Sequence, residues 1–320
     1  MRILVVSSLD PGALALLRAE HDVVQVLNPG EEQLRSLLHD REVLILRSGV
    51  ALGPEALMDA ACLRLVLRAG SGFDNVDVEA LAWRGIAFER VPGPGARSVA
   101  ELAFGLMLAL ARNLLLADRS MRDGRWRKAE MTGYLLAGKT LGVVGLGTIG
   151  TRVALMGAAW GMHPIGCVEC PNAAQADHLA SLGIRLATLD KVLSSADFVT
   201  AHVPGNPRTA GLLDARALAL LKPTAFLVNL SRGGVVDEVA LREALRAGRL
   251  AGAGLDVHAV ERDGHRSPLA EFDNVVLTPH IGASTADSQA EIGREVVRIV
   301  SALAAPSNGH TALAAVGREV

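Results

Sequence analysis

At 320 residues the chain exceeds what a single hydrophobic core usually serves, so two domains are expected. Half of the residues are hydrophobic, 21% are charged and the formal net charge is −2, with no basic block; with only 3% aromatics, the electrostatic footprint and stacking surface of a nucleic-acid binder are missing. The opening apolar run, residues 3–6, is too short for a signal core or a membrane span, and the apolar stretch 102–116 is interrupted by Arg112 and Asn113. Three cysteines (Cys62, Cys167 and Cys170) make no disulfide framework, so a cytoplasmic protein with no membrane partner is expected.

Near-continuous Val/Ile/Leu runs at 2–7, 23–27, 43–46, 63–67 and 86–89 read as strands, with helical patterns such as 12–20 and 31–39 between them. Unbroken apolar runs, rather than alternation, mark strands buried on both faces of a parallel sheet. After the Pro/Gly-rich segment 92–95 a long helix is expected over about 98–122, opened by a Ser98–Glu101 capping box and stopped at Gly124. A second βα series follows, with strands at 140–145, 164–168, 198–201, 225–229, 253–257 and 275–278. The last helix, 287–303, is long enough to return to the first domain, and the tail 305–320 is expected to be mobile. The fold class is α/β, with two Rossmann-like, doubly wound parallel-sheet domains.

The segment Thr140-Leu-Gly-Val-Val-Gly-Leu-Gly-Thr-Ile-Gly150 is a strand, a Gly-x-Gly-x-x-Gly turn and a helix start. Gly145 permits the tight turn, Gly147 lets a pyrophosphate approach the backbone, and Gly150 lets the helix pack on the strand. The helix N-terminus then offers unpaired N–H groups to phosphates. The acid expected to hold the adenosine ribose is Glu169, the only one near the end of the next strand, and no arginine follows it closely; the expected cofactor is NAD. Cys167-x-x-Cys170 lacks a second pair and reads as incidental, and no metal site is expected.

Several further motifs occur in a fixed order: Arg68-Ala-Gly-Ser-Gly-Phe-Asp-Asn-Val-Asp77, the glycine turn, Asn229-Leu-Ser-Arg-Gly-Gly-Val-Val-Asp-Glu238, Gly254-Leu-Asp-Val257 with Glu261, and Thr278-Pro-His-Ile-Gly-Ala-Ser-Thr285. In these motifs the chain resembles the D-isomer-specific 2-hydroxyacid dehydrogenases, most closely the 3-phosphoglycerate dehydrogenase branch. The resemblance implies a discontinuous substrate domain, residues 1–97 plus 286–320, around an NAD-binding domain, 98–285, linked by long helices that contribute to a homodimer interface. It implies a small anionic 2-hydroxy or 2-keto acid as substrate and Arg232, Glu261 and His280 as the catalytic residues.

Those residue types suit the chemistry. An arginine fork grips a carboxylate and never loses its charge. Histidine exchanges protons near working pH, and a carboxylate beside an imidazole favours its protonated form. The resemblance also implies that Gly145, Gly147, Thr148, Ile149 and Gly150 line the pyrophosphate, and that His202, Val203 and Pro204 wall the adenine. Asp256 would contact the nicotinamide carboxamide, while Leu230, Ser231, Arg232, His280, Gly282 and Ala283 would border the ring. Ser71 and Gly72 would bind the substrate carboxylate, and Arg47 and Arg68 a second anionic group such as a phosphate; Arg97 would either join them or face solvent.

Three positions depart from the family pattern: Val168 stands where an aspartate usually holds the ribose, Gly95 where a substrate-contacting asparagine is usual, and His258 where a phenylalanine is usual. His258 would either face the pocket or be a tolerated near-surface substitution, and the second reading is favoured. Two alternatives share the architecture: a hydroxypyruvate or glyoxylate reductase, and an NAD-sensing, corepressor-like binding protein without catalysis. Formate dehydrogenases replace the glutamate by glutamine, and phosphite dehydrogenases carry a lysine where this chain has Ser71, so both are disfavoured.

Overall fold

A computed structural model describes residues 1–304, so the tail for which mobility is expected lies outside the described residues. The chain forms two compact units: Met1–Pro92 together with the helix from Gln289 onward, and Gly93–Ser288.

The first unit is built on strands β1 (Arg2–Val5), β2 (Asp22–Gln25), β3 (Val43–Leu46), β4 (Leu65–Arg68) and β5 (Ala87–Arg90), all parallel, in the order β2-β1-β3-β4-β5. Helices α1 (Pro11–Glu20), α2 (Glu31–Leu38), α3 (Pro54–Leu57) and α4 (Val78–Trp83) lie between them. Successive strand side chains point to opposite faces, and the apolar runs fill two cores. Leu4, Leu44, Leu46 and Val66 pack on one face, and Ile3, Val5, Val43, Ile45, Leu65 and Leu67 on the other. α1 starts where Asp10 accepts the amide of Ala13 and Pro11 occupies the first turn.

The second unit opens with α5 (Gly95–Ala111) and α6 (Leu114–Arg122). One continuous helix from Ser98 to Arg122 is expected from the sequence; instead the helix breaks at Arg112 and Asn113, where Asn113 adopts a left-handed conformation, φ +52°. Asparagine tolerates that region because its short side chain crowds the backbone little. The expected capping box is absent as well. Ser98 lies inside α5, and its Oγ pairs with Oγ1 of Thr285 at 2.8 Å and Oγ of Ser288 at 2.5 Å, while Glu101 binds Nε of Arg97.

Seven parallel strands follow: β6 (Thr140–Val144), β7 (His163–Cys167), β8 (Arg185–Leu186), β9 (Phe198–Ala201), β10 (Phe226–Asn229), β11 (Gly252–Leu255) and β12 (Val275–Leu277). They are joined through α7 (Thr148–Ala159), α8 (Ala173–Ser181), α9 (Leu189–Ser195), α10 (Ala215–Ala219) and α11 (Glu238–Arg246). The order β12-β11-β10-β9-β6-β7-β8 reverses direction between β6 and β9. That is the dinucleotide-fold order with one strand added, and ligands bind beyond the carboxyl ends of such strands at the reversal point.

The last helix, α12 (Ala286–Ala304), begins in the second unit and continues into the first, where Ile292, Val296 and Val300 complete a core with Ile3, Leu14, Leu17 and Leu67. Among the described residues no single helix is long and apolar enough to cross a membrane; α5 and α6 pass that test only as a pair bent by 62°, and most of α5 is buried.

Candidate active site

The three residues expected to carry the chemistry follow three neighbouring strands of the second sheet: Arg232 after β10, Glu261 after β11 and His280 after β12. Strand order thus brings together loops that are far apart in the chain.

Asn229, the fully buried last residue of β10, shapes the arginine turn. Its Oδ1 accepts from the amide of Ser231 at 3.0 Å and from Oγ of Ser231 at 2.7 Å, and its Nδ2 donates to the Arg232 carbonyl at 3.0 Å. This side-chain-closed turn presents Arg232, half-buried, with Nη1 donating to the Ser231 carbonyl at 2.7 Å. Behind it, a Cβ on Gly233 would lie 1.9 Å from the carbonyl oxygen of His258, so only glycine lets the arginine turn touch the loop after β11.

The loop after β12 is held from below by Asp256, which is 1% exposed. Its Oδ1 accepts from Oγ1 of Thr278 at 2.6 Å and the amide of Ile281 at 2.9 Å, and its Oδ2 from the amide of Gly282 at 2.8 Å. The Asp256 carbonyl accepts from the amide of His280 at 2.8 Å. These bonds hold His280 in a left-handed conformation, φ +53°, that a histidine rarely adopts unaided.

Nδ1 of His280 lies 2.8 Å from Oε2 of Glu261, and Oε1 of Glu261 accepts from the amide of His258 at 3.1 Å. A carboxylate offers only lone pairs, so Nδ1 carries the proton of this bond and Nε2 is the nitrogen left for exchange. Partial burial pushes the Glu261 carboxyl up, but the hydrogen bond and charge of His280, with the His258 amide, outweigh it and hold its pKa below the ordinary value.

His258 departs from expectation. Its ring is half-buried, with Nε2 2.9 Å from the Thr278 carbonyl oxygen and Nδ1 enclosed without a hydrogen-bond partner among the described residues. The ring therefore ties the loop after β11 to the residue two before His280, a role phenylalanine could not fill.

The glycine turn fits a dinucleotide. Gly145 has φ +92°, and a Cβ there would come within 2.6 Å of the His202 carbonyl oxygen. A Cβ on Gly150 would lie 1.9 Å from the Gly145 carbonyl oxygen, which is how closely α7 approaches the turn. A Cβ on Gly147 would meet nothing within 4 Å, and α7 starts there without a side-chain cap. Open space beside uncapped helix amides is what a diphosphate requires.

The other expected cofactor residues are placed variously. Thr148 and Pro204 are exposed, Ile149 and Ala283 are half-buried, and Gly282 is buried. Leu230 packs into the core, Ser231 is spent on Asn229, and Val203 packs against the sheet. Nε2 of His202 lies 2.8 Å from Oγ1 of Thr200, and burial pulls the His202 imidazole pKa down to about 3. Val168 packs against the core, whereas Glu169 is exposed, its Oε1 3.3 Å from Nη1 of Arg208, an arginine that the local sequence does not announce. Cys167 is buried, which pushes its thiol pKa up and makes it inert, and Cys170 is exposed. Among the described residues no group of three or more His, Cys, Asp or Glu is placed to hold a metal ion. At Gly95 a Cβ would approach that of Ala283 to 3.0 Å, so a larger side chain here would need Ala283 to shift. Arg97 is exposed and pairs with Glu101.

In the first unit, Arg47 follows β3 and Arg68 ends β4, adjacent strands whose carboxyl ends carry both guanidinium groups. Nη1 of Arg47 donates to Oε1 of Gln289 at 2.7 Å, and burial lowers its pKa from an ordinary value far above neutrality. Arg68 is 6% exposed. Ser71, beside half-buried Gly72, donates from Oγ to the Pro92 carbonyl at 2.7 Å and accepts Nη1 of Arg90 at its own carbonyl.

The family model for the D-isomer specific 2-hydroxyacid dehydrogenase, NAD binding domain, matches residues 104–282. D-3-phosphoglycerate dehydrogenase of Mycobacterium leprae is 42% identical over 298 residues, covering 93% of this chain; the chain spans only 56% of that relative's length. Among solved structures, an NADPH-dependent glyoxylate/hydroxypyruvate reductase of Sinorhizobium meliloti, in complex with NADP and malonate, superposes with a TM-score of 0.84 at 30% identity, covering 97% of this chain and 95% of that one. D-lactate dehydrogenase of Aquifex aeolicus, complexed with NAD and lactic acid, gives 0.83 at 28% identity, with 95% of each chain covered. The chain carries the NAD-binding domain of this family, and it belongs to the D-isomer specific 2-hydroxyacid dehydrogenases.

Proposed function

We propose that this chain is an NAD-dependent D-2-hydroxyacid dehydrogenase, and that the second unit holds the cofactor while the first supplies groups for the substrate. The observation that carries the reading is the 2.8 Å pair of His280 and Glu261 beside the Arg232 turn, in a unit whose glycine turn fits a dinucleotide. Gly145, Gly147, Thr148, Ile149 and Gly150 would hold the diphosphate of a nicotinamide dinucleotide, which when bound would supply the hydride chemistry. Arg232 grips the substrate carboxylate with its planar fork and polarises the adjacent carbonyl. His280 gives its Nε2 proton to the oxygen that becomes the hydroxyl, and in the reverse direction takes it back. Glu261 stabilises the charged imidazole and fixes the ring through Nδ1.

For substrate we favour an acid with a second anionic group, with D-3-phosphoglycerate/3-phosphohydroxypyruvate first. Arg47 and Arg68 at adjacent strand ends support this, as does the mycobacterial relative. The Sinorhizobium structure supports hydroxypyruvate or glyoxylate as the second reading. Oxidation of NADH with 3-phosphohydroxypyruvate, hydroxypyruvate, glyoxylate and 2-ketoglutarate separates them. Turnover of the phosphorylated acid with the highest kcat/KM, lowered by Arg47→Ala, is the expected result; unchanged kcat/KM in an active Arg47→Ala preparation discards the phosphate role. NADH binding without oxidation of any acid would mean a sensor instead of an enzyme. A homodimer is part of the same proposal: Leu114, Leu115 and Met121 of α6, with Trp126, Tyr134 and Leu135 after it, are exposed apolar side chains, and sedimentation would give the mass.

A further inference from the structure

The end of β7 holds two opposite charges where dinucleotide folds usually hold one acid. Glu169 is one of them. The other, Arg208, comes from the loop after β9, 39 residues on. β7 and β9 flank β6 in the sheet, so the pair joins the segments following the two neighbours of the strand that leads into the glycine turn.

Arg208 is set there by an ordered turn. Oδ1 of Asn206 accepts the amides of Arg208 at 2.9 Å and Thr209 at 3.1 Å, and Oγ1 of Thr209, a buried residue, donates to the Pro204 carbonyl at 2.6 Å. The charged ends remain in water, with the Arg208 and Glu169 side chains 70% and 61% exposed. An ion pair so exposed is weak and opens readily.

The two adenosine ends of nicotinamide dinucleotides ask for opposite partners. A ribose 2′-hydroxyl donates to a carboxylate, whereas a 2′-phosphate is repelled by one and is gripped by a guanidinium. Resting on the dinucleotide reading of this site, we propose that Glu169 and Arg208 form an exchangeable pair that admits both forms. Glu169 turns to the 2′-hydroxyl of NAD(H), and Arg208 leaves Glu169 for the 2′-phosphate of NADP(H). Val168, packed against the core, supplies no acid of its own and leaves the selection to this pair.

Direct binding of NADH and NADPH, followed by energy transfer from the protein's tryptophans and by calorimetry, tests this without turnover. The wild-type chain is expected to bind both with Kd values within about tenfold of each other. Arg208→Ala should weaken NADPH about tenfold or more, the loss of one charge-assisted contact, and NADH by less than about threefold. Glu169→Gln should weaken NADH and leave NADPH equal or tighter, and added salt should weaken NADPH more steeply than NADH. Wild-type affinities more than about tenfold apart, or an Arg208→Ala variant that loses both ligands equally or neither, would overturn the proposal. Tight NADH binding with no NADPH binding sinks the exchange alone; a folded wild-type chain that binds neither ligand sinks the dinucleotide reading with it.

Discussion

Glu261 and His280 meet through Oε2 and Nδ1 at 2.8 Å although they follow different strands. Replacing Glu261 by Gln keeps the size and removes the charge that supports a protonated ring. A fall in kcat of about 10²-fold or more is expected, with NADH affinity unchanged, as steady-state kinetics beside direct binding would show. The acid limb has a definite sign. Because the carboxyl is held below its ordinary value of 4.5, the pair is complete above that value and is lost as pH falls through the depressed one. If the proposed activity holds, a loss assigned to Glu261 should therefore lie below pH 4.5 in the native protein.

Arg232 is presented by a turn that Asn229 closes with three hydrogen bonds. Arg232→Lys keeps the charge and loses the fork, and kcat/KM should drop roughly 10–100-fold for each charge-assisted bond that lysine cannot make. If Arg232→Lys matched the wild type across the acid panel, bidentate recognition by this residue would be wrong.

Asp256 spends both oxygens on the loop that carries His280. Asp256→Ala leaves two backbone amides and a hydroxyl without their acceptor, at a cost of about 2–4 kcal/mol. Thermal unfolding should show a lowered Tm, and kcat should fall even where the variant is folded, because His280 loses the support for its left-handed backbone.

His202 predicts a separate acid sensitivity. Enclosure of the ring lowers its pKa from 6.5 to about 3, so the native state holds it neutral while the unfolded chain takes up a proton below 6.5. The unfolded state binds more protons across that window, and stability falls as pH drops from 6.5 towards 3. His202→Gln, which keeps a partner for Thr200, should show a flatter dependence of Tm on pH between those limits. Parallel Tm curves for the two proteins would remove His202 as the cause.

The layered α/β plan is legible chiefly from strands such as β1, β3 and β4, whose unbroken Val, Ile and Leu runs suit burial on both faces of a parallel sheet. β8 escaped notice, being only Arg185 and Leu186 with no apolar run to mark it. The break between α5 and α6 is not legible either: Arg112 and Asn113 interrupt the apolar run, but nothing in that pair distinguishes a polar helix position from the left-handed backbone that Asn113 adopts. At the candidate site, Arg232, Glu261 and His280 follow from motif order, whereas the meeting of Glu261 with His280 depends on the adjacency of β11 and β12, which no local pattern encodes. The same holds for Arg208 beside Glu169. Nothing local to His258 reveals the bond of its ring to the Thr278 carbonyl, 20 residues on in the chain.

The passage of α12 from one unit into the other bears on how the protein is made. During synthesis the first sheet leaves the ribosome long before Ile292, Val296 and Val300 exist, yet those side chains are part of its interior. Until α12 is made, the face of β1, β3 and β4 that those side chains cover is incompletely covered. A single helix thus ties the interior of the first-made sheet to residues synthesised more than two hundred positions later.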